Sequence, residues 1–209
     1  MKTLTKSSLL YETIFNKIIH GEYPANTKLR EEKLAETHKV SRTPVREALR
    51  HLEKDGLIEM LTNRDTRVVG LTADDVEEVF QIRKVLECLA LRFSIHNLSI
   101  GRLQELRSEI SSISKSDDYL EHAKIDAKLH NYISEASNKK RLVAILRQLF
   151  RLIPRFQQLS YKDKTARAQA AVDHLELIDA LLLRDLAKAE VLLEKHIERS
   201  KLVAIAVRD

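Results

Sequence analysis

Hydrophobic residues recur every three or four positions along most of the chain, which is the spacing of amphipathic helices. In the first part this pattern predicts a helix from about Ser8 to His20 and a short one from about Glu31 to His38. A third predicted helix begins after Ser41 and ends at Gly56. The β-prone segments 57–61 and 66–69 flank a turn sequence, so they predict a two-stranded wing.

From Thr72 onward the pattern is helical to the end of the chain. Short polar breaks divide it into six predicted helices: one from Thr72 to the break at 99–101, then about 101–114, 117–136, 139–159, 164–183 and 185–207. Pro154 is expected to kink or divide the fourth of them. The fold class predicted is mainly α, with an N-terminal winged helix-turn-helix domain (1–71) and a C-terminal all-α six-helix bundle (72–209).

The third predicted helix carries two distinct faces. Its apolar face consists of Val45, Ala48, Leu49 and Leu52, whereas arginines recur every four residues around the rest of it, at 42, 46 and 50. A short helix with an apolar back and an arginine front fits the DNA major groove. An ordinary surface helix with solvated arginines would show the same pattern. The short helix just before it has helix-turn-helix spacing, which favours the DNA-binding interpretation.

Composition adds modest constraints. The pI near 9.2 and the formal net charge of +5 agree with a polyanionic partner but do not require one. The single cysteine, Cys88, excludes an intramolecular disulfide and a cysteine-based zinc site. No apolar run reaches membrane-spanning length and the first residues lack a signal-peptide core, so we expect a cytoplasmic protein with no membrane partner.

Four polar residues of the bundle could meet at one point. Asp126 and His130 are four residues apart, which places them on one helix face. His174 and His196 would lie about 33 Å apart on one straight helix, but an antiparallel hairpin folded near Asp185 would bring them level. One carboxylate and three imidazoles suit a divalent transition metal. Histidines that are separately exposed or hydrogen-bonded in the core are the alternative, and spacing alone leaves both open.

The remaining histidines have no partners at metal-ligand spacing. They are interpreted as ordinary polar residues: His20, His38, His51, His96 and His122. His122 is four residues before Asp126 and could also face the cluster, but it is not assigned to it.

The N-terminal half resembles the GntR superfamily of bacterial transcription regulators. The resemblance lies in the segment 40–50, VSRTPVREALR, followed by Asp55-Gly56-Leu57. Ala25 and Asp65 depart from the family, which usually has glycine at these positions of the turn and the wing. An aspartate in the wing would add a negative charge near phosphate. The contacts expected with an operator come from Arg30, Ser41, Arg42, Thr43, Arg46, Arg50, Arg64 and Arg67.

The C-terminal half resembles the FCD effector domain of the FadR branch, and its six helices make it closest to the VanR-like subgroup. Arg83 with Glu87, the segment 126–130, Asp173-His174 and His196 are the family landmarks present. The resemblance implies that Zn, Ni, Mn or Fe is bound by Asp126, His130, His174 and His196. It also implies that water or a small organic acid effector completes the coordination. Arg83 is the first candidate to pair with the far end of that acid, ahead of Arg151 and Arg155, for which solvated surface charge is an equal alternative.

Together these features predict a ligand-responsive DNA-binding regulator. It is expected to be a repressor, bacterial and nucleoid-associated when bound, and a homodimer on a palindromic double-stranded operator because one helix-turn-helix reads few base pairs. A regulator that senses the metal ion itself is the alternative. A metal-dependent hydrolase is disfavoured because no H-E-x-x-H motif or recognisable general base accompanies the histidines.

Overall fold

The structure, a computed structural model, describes residues 5–61, 66–70, 72–114 and 116–206, apart from the side chains of 158 and 159. In these ranges it contains nine helices and one two-stranded sheet. The chain divides into two compact units, Met1–Thr72 and Ala73–Asp209. The predicted fold class, a winged helix-turn-helix followed by a six-helix bundle, is confirmed. None of the described helices combines the length and apolar character needed to cross a bilayer.

The first unit contains three helices and a small antiparallel sheet. Its elements are α1 (Lys6–Ile19), α2 (Glu31–Thr37), α3 (Arg42–Lys54), β1 (Ile58–Met60) and β2 (Thr66–Val68). The strands pair in register with Ile58 opposite Val68, and Lys28 adds an isolated bridge to Arg67. The expected wing strands are therefore present, whereas the turn between them, residues 62–65, lies outside the described residues.

Helix α3 is fixed by its apolar face and by its last residues. Val45, Ala48, Leu49 and Leu52 are each 0% exposed and pack towards α1 and α2. Gly56 follows the helix at φ +70°, a conformation that costs glycine little. Ser41 occupies the predicted N-cap position with extended backbone, but its side chain makes no capping hydrogen bond among the described residues. Burial of one face leaves the arginines on the other.

The second unit is a bundle of six helices. They are α4 (Ala73–Ser94), α5 (Ile100–Ile113), α6 (Tyr119–Ala136), α7 (Lys140–Ser160), α8 (Lys164–Leu182) and α9 (Leu186–Ala206). Helix α4 packs on α6, α7 and α9, and α8 packs chiefly on α5 and α9. The carboxylates of Asp118 and Asp163 cap α6 and α8 by accepting backbone N–H bonds. Pro154 lies inside α7, which continues through it as one undivided helix.

The turn between α8 and α9 decides where two histidines meet. It is short, and Arg184 adopts φ +56° within it. The Arg184 guanidinium donates to the backbone carbonyls of Ile95 and Leu98, which anchors the turn to the end of α4. A tight, anchored turn requires α8 and α9 to run antiparallel, so residues equally distant from it lie side by side.

Candidate metal centre and DNA-contacting surface

Asp126, His130, His174 and His196 meet in the interior of the second unit. Asp126 and His130 project from adjacent turns of α6, while α8 and α9 supply one histidine each. One ligand atom from each residue lies within 4.8 Å of the others, and all four side chains are buried. The hairpin of α8 and α9 thus brings together residues 22 positions apart in the sequence.

The carboxylate of Asp126 lies at the centre of this cluster. Its Oδ1 is 3.1 Å from His174 Nε2, 3.5 Å from His130 Nε2 and 3.6 Å from His196 Nε2. No contact of Oδ1 with the described residues has full hydrogen-bond geometry. Its other oxygen, Oδ2, accepts a hydrogen bond from Gln157 Nε2 at 3.2 Å. One carboxylate oxygen is therefore oriented by the protein while the other faces three imidazole nitrogens.

Two further carboxylates lie beside the imidazole rings, and Glu87 forms a hydrogen bond with one of them. His130 Nδ1 donates to Glu87 Oε2 at 2.5 Å, and Asp173 Oδ2 lies 3.7 Å from His196 Nδ1. Carboxylates in this position hold a metal-binding histidine in one tautomer and make it more basic. His130 and His196 both direct Nε2 towards Asp126, and the hydrogen bond to Glu87 holds His130 in this orientation. In the sequence, Glu87 and Asp173 are both landmarks of the resemblance to the FCD domain.

The electrostatics of the cluster follow from burial and its charged neighbours. Burial by itself raises the pKa of Glu87, but Arg83 and His130 lower it to about 2. Burial and the neighbouring His196 lower the pKa of His174 to about 4, so this ring is neutral with a lone pair available near pH 7. Burial disfavours ionised Asp126, yet the histidines, His130 foremost, hold its pKa well below its usual range. Burial opposes a charged His130, but Glu87 raises its pKa to about 9, so this ring must release a proton when a cation binds.

A cavity of about 40 Å³ adjoins the cluster between α7, α8 and α9. Its wall includes His196 and Asp173, together with Arg199 and Tyr161. Arg199 Nη1 donates to Asp173 Oδ2, the oxygen that also faces His196. Sequence reasoning missed Arg199, although its position three residues after His196 places it near the same face of α9.

The arginines predicted to bind the effector lie in different places. Arg83 is 1% exposed and lies beneath the cluster, where Nε contacts Glu87 Oε1 at 2.5 Å and Nη2 lies 3.1 Å from His130 Nε2. Its Nη1 has no hydrogen-bond partner among the described residues. Arg151 is exposed and Arg155 half-buried on α7, and neither is among the described residues that line the cavity. His122 borders a small cavity together with Asp126 and His174 but is not one of the four converging residues, and its Nε2 contacts the carbonyl of Ser116 at 3.0 Å.

The residues predicted to contact DNA are on the surface of the first unit. Arg42 is 59% exposed and pairs with Glu32 at 2.9 Å, while Arg46 is 49% exposed and pairs with Glu31 at 2.8 Å. The other described members are also exposed, and of these Arg67 pairs with Glu59: Arg30, Ser41, Thr43, Arg50 and Arg67. Arg64 and Asp65 lie outside the described residues.

Comparison with family models matches both units. Residues 78–199 match the FCD domain, and residues 6–68 match bacterial regulatory proteins of the gntR family. An uncharacterized HTH-type transcriptional regulator of Bacillus subtilis, YdhC, is 30% identical over 72% of this chain and 69% of its own length. The gluconate operon transcriptional repressor of Bacillus licheniformis is 30% identical over 81% of this chain and 72% of its own length.

Solved structures that share this fold include one that matches nearly the whole chain and one that matches the FCD domain. Escherichia coli McbR/YncC superposes over 98% of this chain and 99% of its own, with a TM-score of 0.79 at 19% identity. The metal-free FCD domain of TM0439, a putative transcriptional regulator, covers 66% of this chain and 96% of its own, with a TM-score of 0.58 at 18% identity. At these identities the likeness establishes the fold alone.

Proposed function

Because the chain belongs to the GntR family of DNA-binding transcription regulators and carries an FCD domain, we propose that it is a repressor released from its operator by a small carboxylate. The carboxylate would bind at a divalent metal held by Asp126, His130, His174 and His196. The convergence of these four buried side chains carries the proposal. The role that we propose is regulation of transcription and not catalysis.

The donor set supports a first-row transition metal. Three imidazoles and one carboxylate suit Zn²⁺, Ni²⁺, Mn²⁺ or Fe²⁺, and four protein ligands leave open positions when the ion has five or six. Such an ion would supply positive charge and open coordination positions inside the bundle. The buried Asp126 Oδ1, which faces three imidazole nitrogens, fits a cation better than it fits an apolar core.

The cavity beside the cluster supports a small organic acid as effector. Its wall holds Arg199, and charge-assisted hydrogen bonds from arginine recognise carboxylates strongly. Arg83 Nη1, a buried donor next to the cluster, could serve an acid bound to the metal. Arg151 and Arg155 remain candidates only if the effector reaches along α7. A relative named as the repressor of a gluconate operon makes sugar acids a sensible class to test first.

The first unit would supply the contact with DNA. Arg42, Arg46 and Arg50 on α3 would enter the major groove or grip phosphates, while Ser41 and Thr43 would bind phosphate near the helix N-terminus. The flanking arginines would add phosphate contacts from α2 and the wing: Arg30, Arg64 and Arg67. A homodimer would place two such units on a palindrome, in the bacterial cytoplasm where the nucleoid lies.

The metal site is tested by comparing two buried histidines. We expect purified protein to retain about one transition metal per chain in elemental analysis after dialysis, and His130→Ala to lose it. His122→Ala is the matched control, since His122 is also buried on α6 but contacts the Ser116 carbonyl instead. Full metal content in His130→Ala would remove this site from the proposal.

The regulatory function is tested with an operator selected from random duplexes. Arg46→Ala should weaken operator binding about tenfold or more and reduce the salt slope by about one, measured by fluorescence anisotropy. Arg147→Ala, an exposed arginine of α7, is the control. In metal-loaded protein a carboxylate or sugar acid should lower operator affinity. If metal alone changes the affinity and no acid does, the ion is the signal and the effector proposal is wrong.

A further inference from the structure

Asp173 is held by two neighbours that are not candidate metal ligands. Its Oδ2 accepts a hydrogen bond from Arg199 Nη1 of α9. Its Oδ1 accepts one from Gln169 Nε2, one turn earlier on α8, at 3.1 Å. Asp173 is 4% exposed, whereas the side chain of Arg199 is 32% exposed. The guanidinium of Arg199 therefore links a buried carboxylate beside the cluster to the surface of the second unit.

His196 lacks the hydrogen bond that a metal-binding histidine usually makes through its second nitrogen. A cation bound at Nε2 requires the ring proton to be at Nδ1. The Nδ1 atom is buried, has no hydrogen-bond partner among the described residues, and lies 3.7 Å from Asp173 Oδ2. A shift of the carboxylate by about 1 Å would complete the bond. His130 already has such a partner in Glu87, and these partners change metal affinity by about 10–100-fold.

The cavity beside His196 offers Arg199 room for a different anion. Ser160 also lines this cavity, and its Oγ is buried without a hydrogen-bond partner among the described residues. An arginine and a hydroxyl are donors that recognise a carboxylate. The volume of about 40 Å³ accommodates a few water molecules or the carboxylate group of a larger molecule. These features fit the carboxylate end of a small organic acid.

We propose that Arg199 is a positioning residue that exchanges Asp173 for the carboxylate of a small acid, and that this exchange tightens metal binding. While Arg199 holds Oδ2, the Asp173 carboxylate stays too far from His196 for a hydrogen bond. When an acid binds the guanidinium, Asp173 moves to accept the Nδ1 proton and holds Nε2 towards the cation. Acid and metal then strengthen each other's binding by the same factor. This inference rests on the metal and the acid of the proposed function and states how they are coupled.

The positioning role is tested by the Zn²⁺ affinity of the full-length protein, measured in carboxylate-free buffer by competition with a pyridylazo indicator. Arg199→Gln should tighten Zn²⁺ binding about tenfold, because Asp173 is then free to reach His196, whereas an arginine with a merely structural role would weaken binding when removed. In an Asp173→Asn background the same substitution should have no effect. Arg199→Lys should behave as wild type, and Lys195→Gln, which removes a charge from an exposed position of α9, should change nothing. Circular dichroism should show native helix content in every variant.

Acetate is the probe for the exchange itself. Added acetate should tighten Zn²⁺ binding in the wild type and have little effect in Arg199→Gln, in which Asp173 is already released. Equal tightening in both proteins is expected of an acid that only coordinates the ion, and it overturns the exchange. An Arg199→Gln protein that binds Zn²⁺ no more tightly, or that gains as much in the Asp173→Asn background, overturns the positioning role while the metal site stands. A wild-type protein that binds no Zn²⁺ overturns the metal site of the proposed function as well.

Discussion

Two arginines of α3 are each held by a carboxylate of α2 before any DNA is present. Arg46 pairs with Glu31 and Arg42 with Glu32, so each guanidinium is held near the helix surface by a neighbour on the preceding helix. A phosphate that approaches Arg42 or Arg46 must either displace the paired glutamate or bind the guanidinium while the glutamate stays bound to it. These ion pairs therefore weaken non-specific binding to DNA more than they weaken binding to the operator.

Glu31→Gln should shift the balance towards indiscriminate binding. Removing the carboxylate beside Arg46 should raise affinity for random-sequence duplex DNA about two- to fivefold at moderate salt, because exposed ion pairs are weak but lie in the path of phosphate. Affinity for the selected operator should rise less, so the specificity ratio falls. Glu36→Gln, exposed on the same helix, makes the same change of net charge and should preserve the ratio. Equal gains on both DNAs would contradict a role in specificity.

At the scale of single residues, sequence spacing indicated which histidines could meet, the family resemblance favoured that they do, and neither predicted what surrounds them. Helical spacing alone put Asp126 beside His130, and the turn near Asp185 put His174 level with His196. The partners on other helices, such as Glu87 for His130, depend on which helices pack together. Helical spacing predicts the helix face on which Arg83 lies. It does not predict that Arg83 lies beneath the cluster, or that Arg199 borders the cavity. How deeply a side chain lies within a bundle depends on how the helices pack together, and helical periodicity does not determine it.

At the scale of elements, helix ends were predictable because local residues fix them. The helix predicted over 164–183 spans Lys164–Leu182, since the Asp163 side chain caps its N-terminus. The path of α7 was left open by the sequence, because a proline can either bend a helix or end it. In the structure α7 continues past Pro154, and its last turns carry Gln157 and Ser160 to the cavity.

Pro154→Ala should stabilise the second unit and weaken its site. Alanine restores a backbone N–H and removes the clash of the ring with the preceding turn, for an expected gain of about 1–3 kcal/mol in the free energy of unfolding by urea. The last turns of α7 would then shift, and Gln157 would lose its optimal contact with Asp126, so metal affinity should fall in a chelator competition. Gln148→Ala, exposed on the same helix, should change neither quantity. A variant that gains stability with unaltered metal affinity would show that the proline does not position the site.

Gly56→Ala and Gly101→Ala should act in opposite directions. At Gly56 an added Cβ would meet nothing within 4 Å, so its expected cost of about 1 kcal/mol arises from φ +70° alone. Gly101 lies within α5, where alanine is the better helix former and should add about 0.5–1 kcal/mol. Denaturant melts that resolve the two units provide the measurement. A neutral Gly56→Ala would mean that α3 can end in another conformation.

At the scale of the whole molecule, the fold class followed from periodicity and composition, whereas helix neighbours did not. Six amphipathic helices with short connections admit few architectures, and a bundle is the one observed. Each helix, however, can pack on several partners with similar burial of apolar area. The structure shows that α4 packs against α6, α7 and α9 and leaves Val85 exposed. The sequence pattern does not predict this arrangement.

Removal of the metal should act on one unit of the molecule and not on the other. The four candidate ligands all belong to Ala73–Asp209, and a ligand that binds only the folded state stabilises it by about 4 kcal/mol at a thousandfold excess over its dissociation constant. A loss of that size lowers a melting temperature by on the order of 10 °C in a unit of this size. We therefore expect treatment with a chelator to shift one calorimetric transition downwards and leave the transition of Met1–Thr72 in place.

The His130→Ala protein is the control for this experiment, because its second unit should already melt at the lower temperature and should not respond to chelator. Readdition of Zn²⁺, Ni²⁺ or Mn²⁺ should restore the transition of the wild type, and the ion that restores most at equal free concentration is the tightest binder. If both transitions move together, unfolding of the two units is coupled. Metal loading would then also change the stability of the DNA-binding unit. If neither moves, the buried carboxylate and imidazoles of the cluster are stable without a cation, and the metal site is wrong.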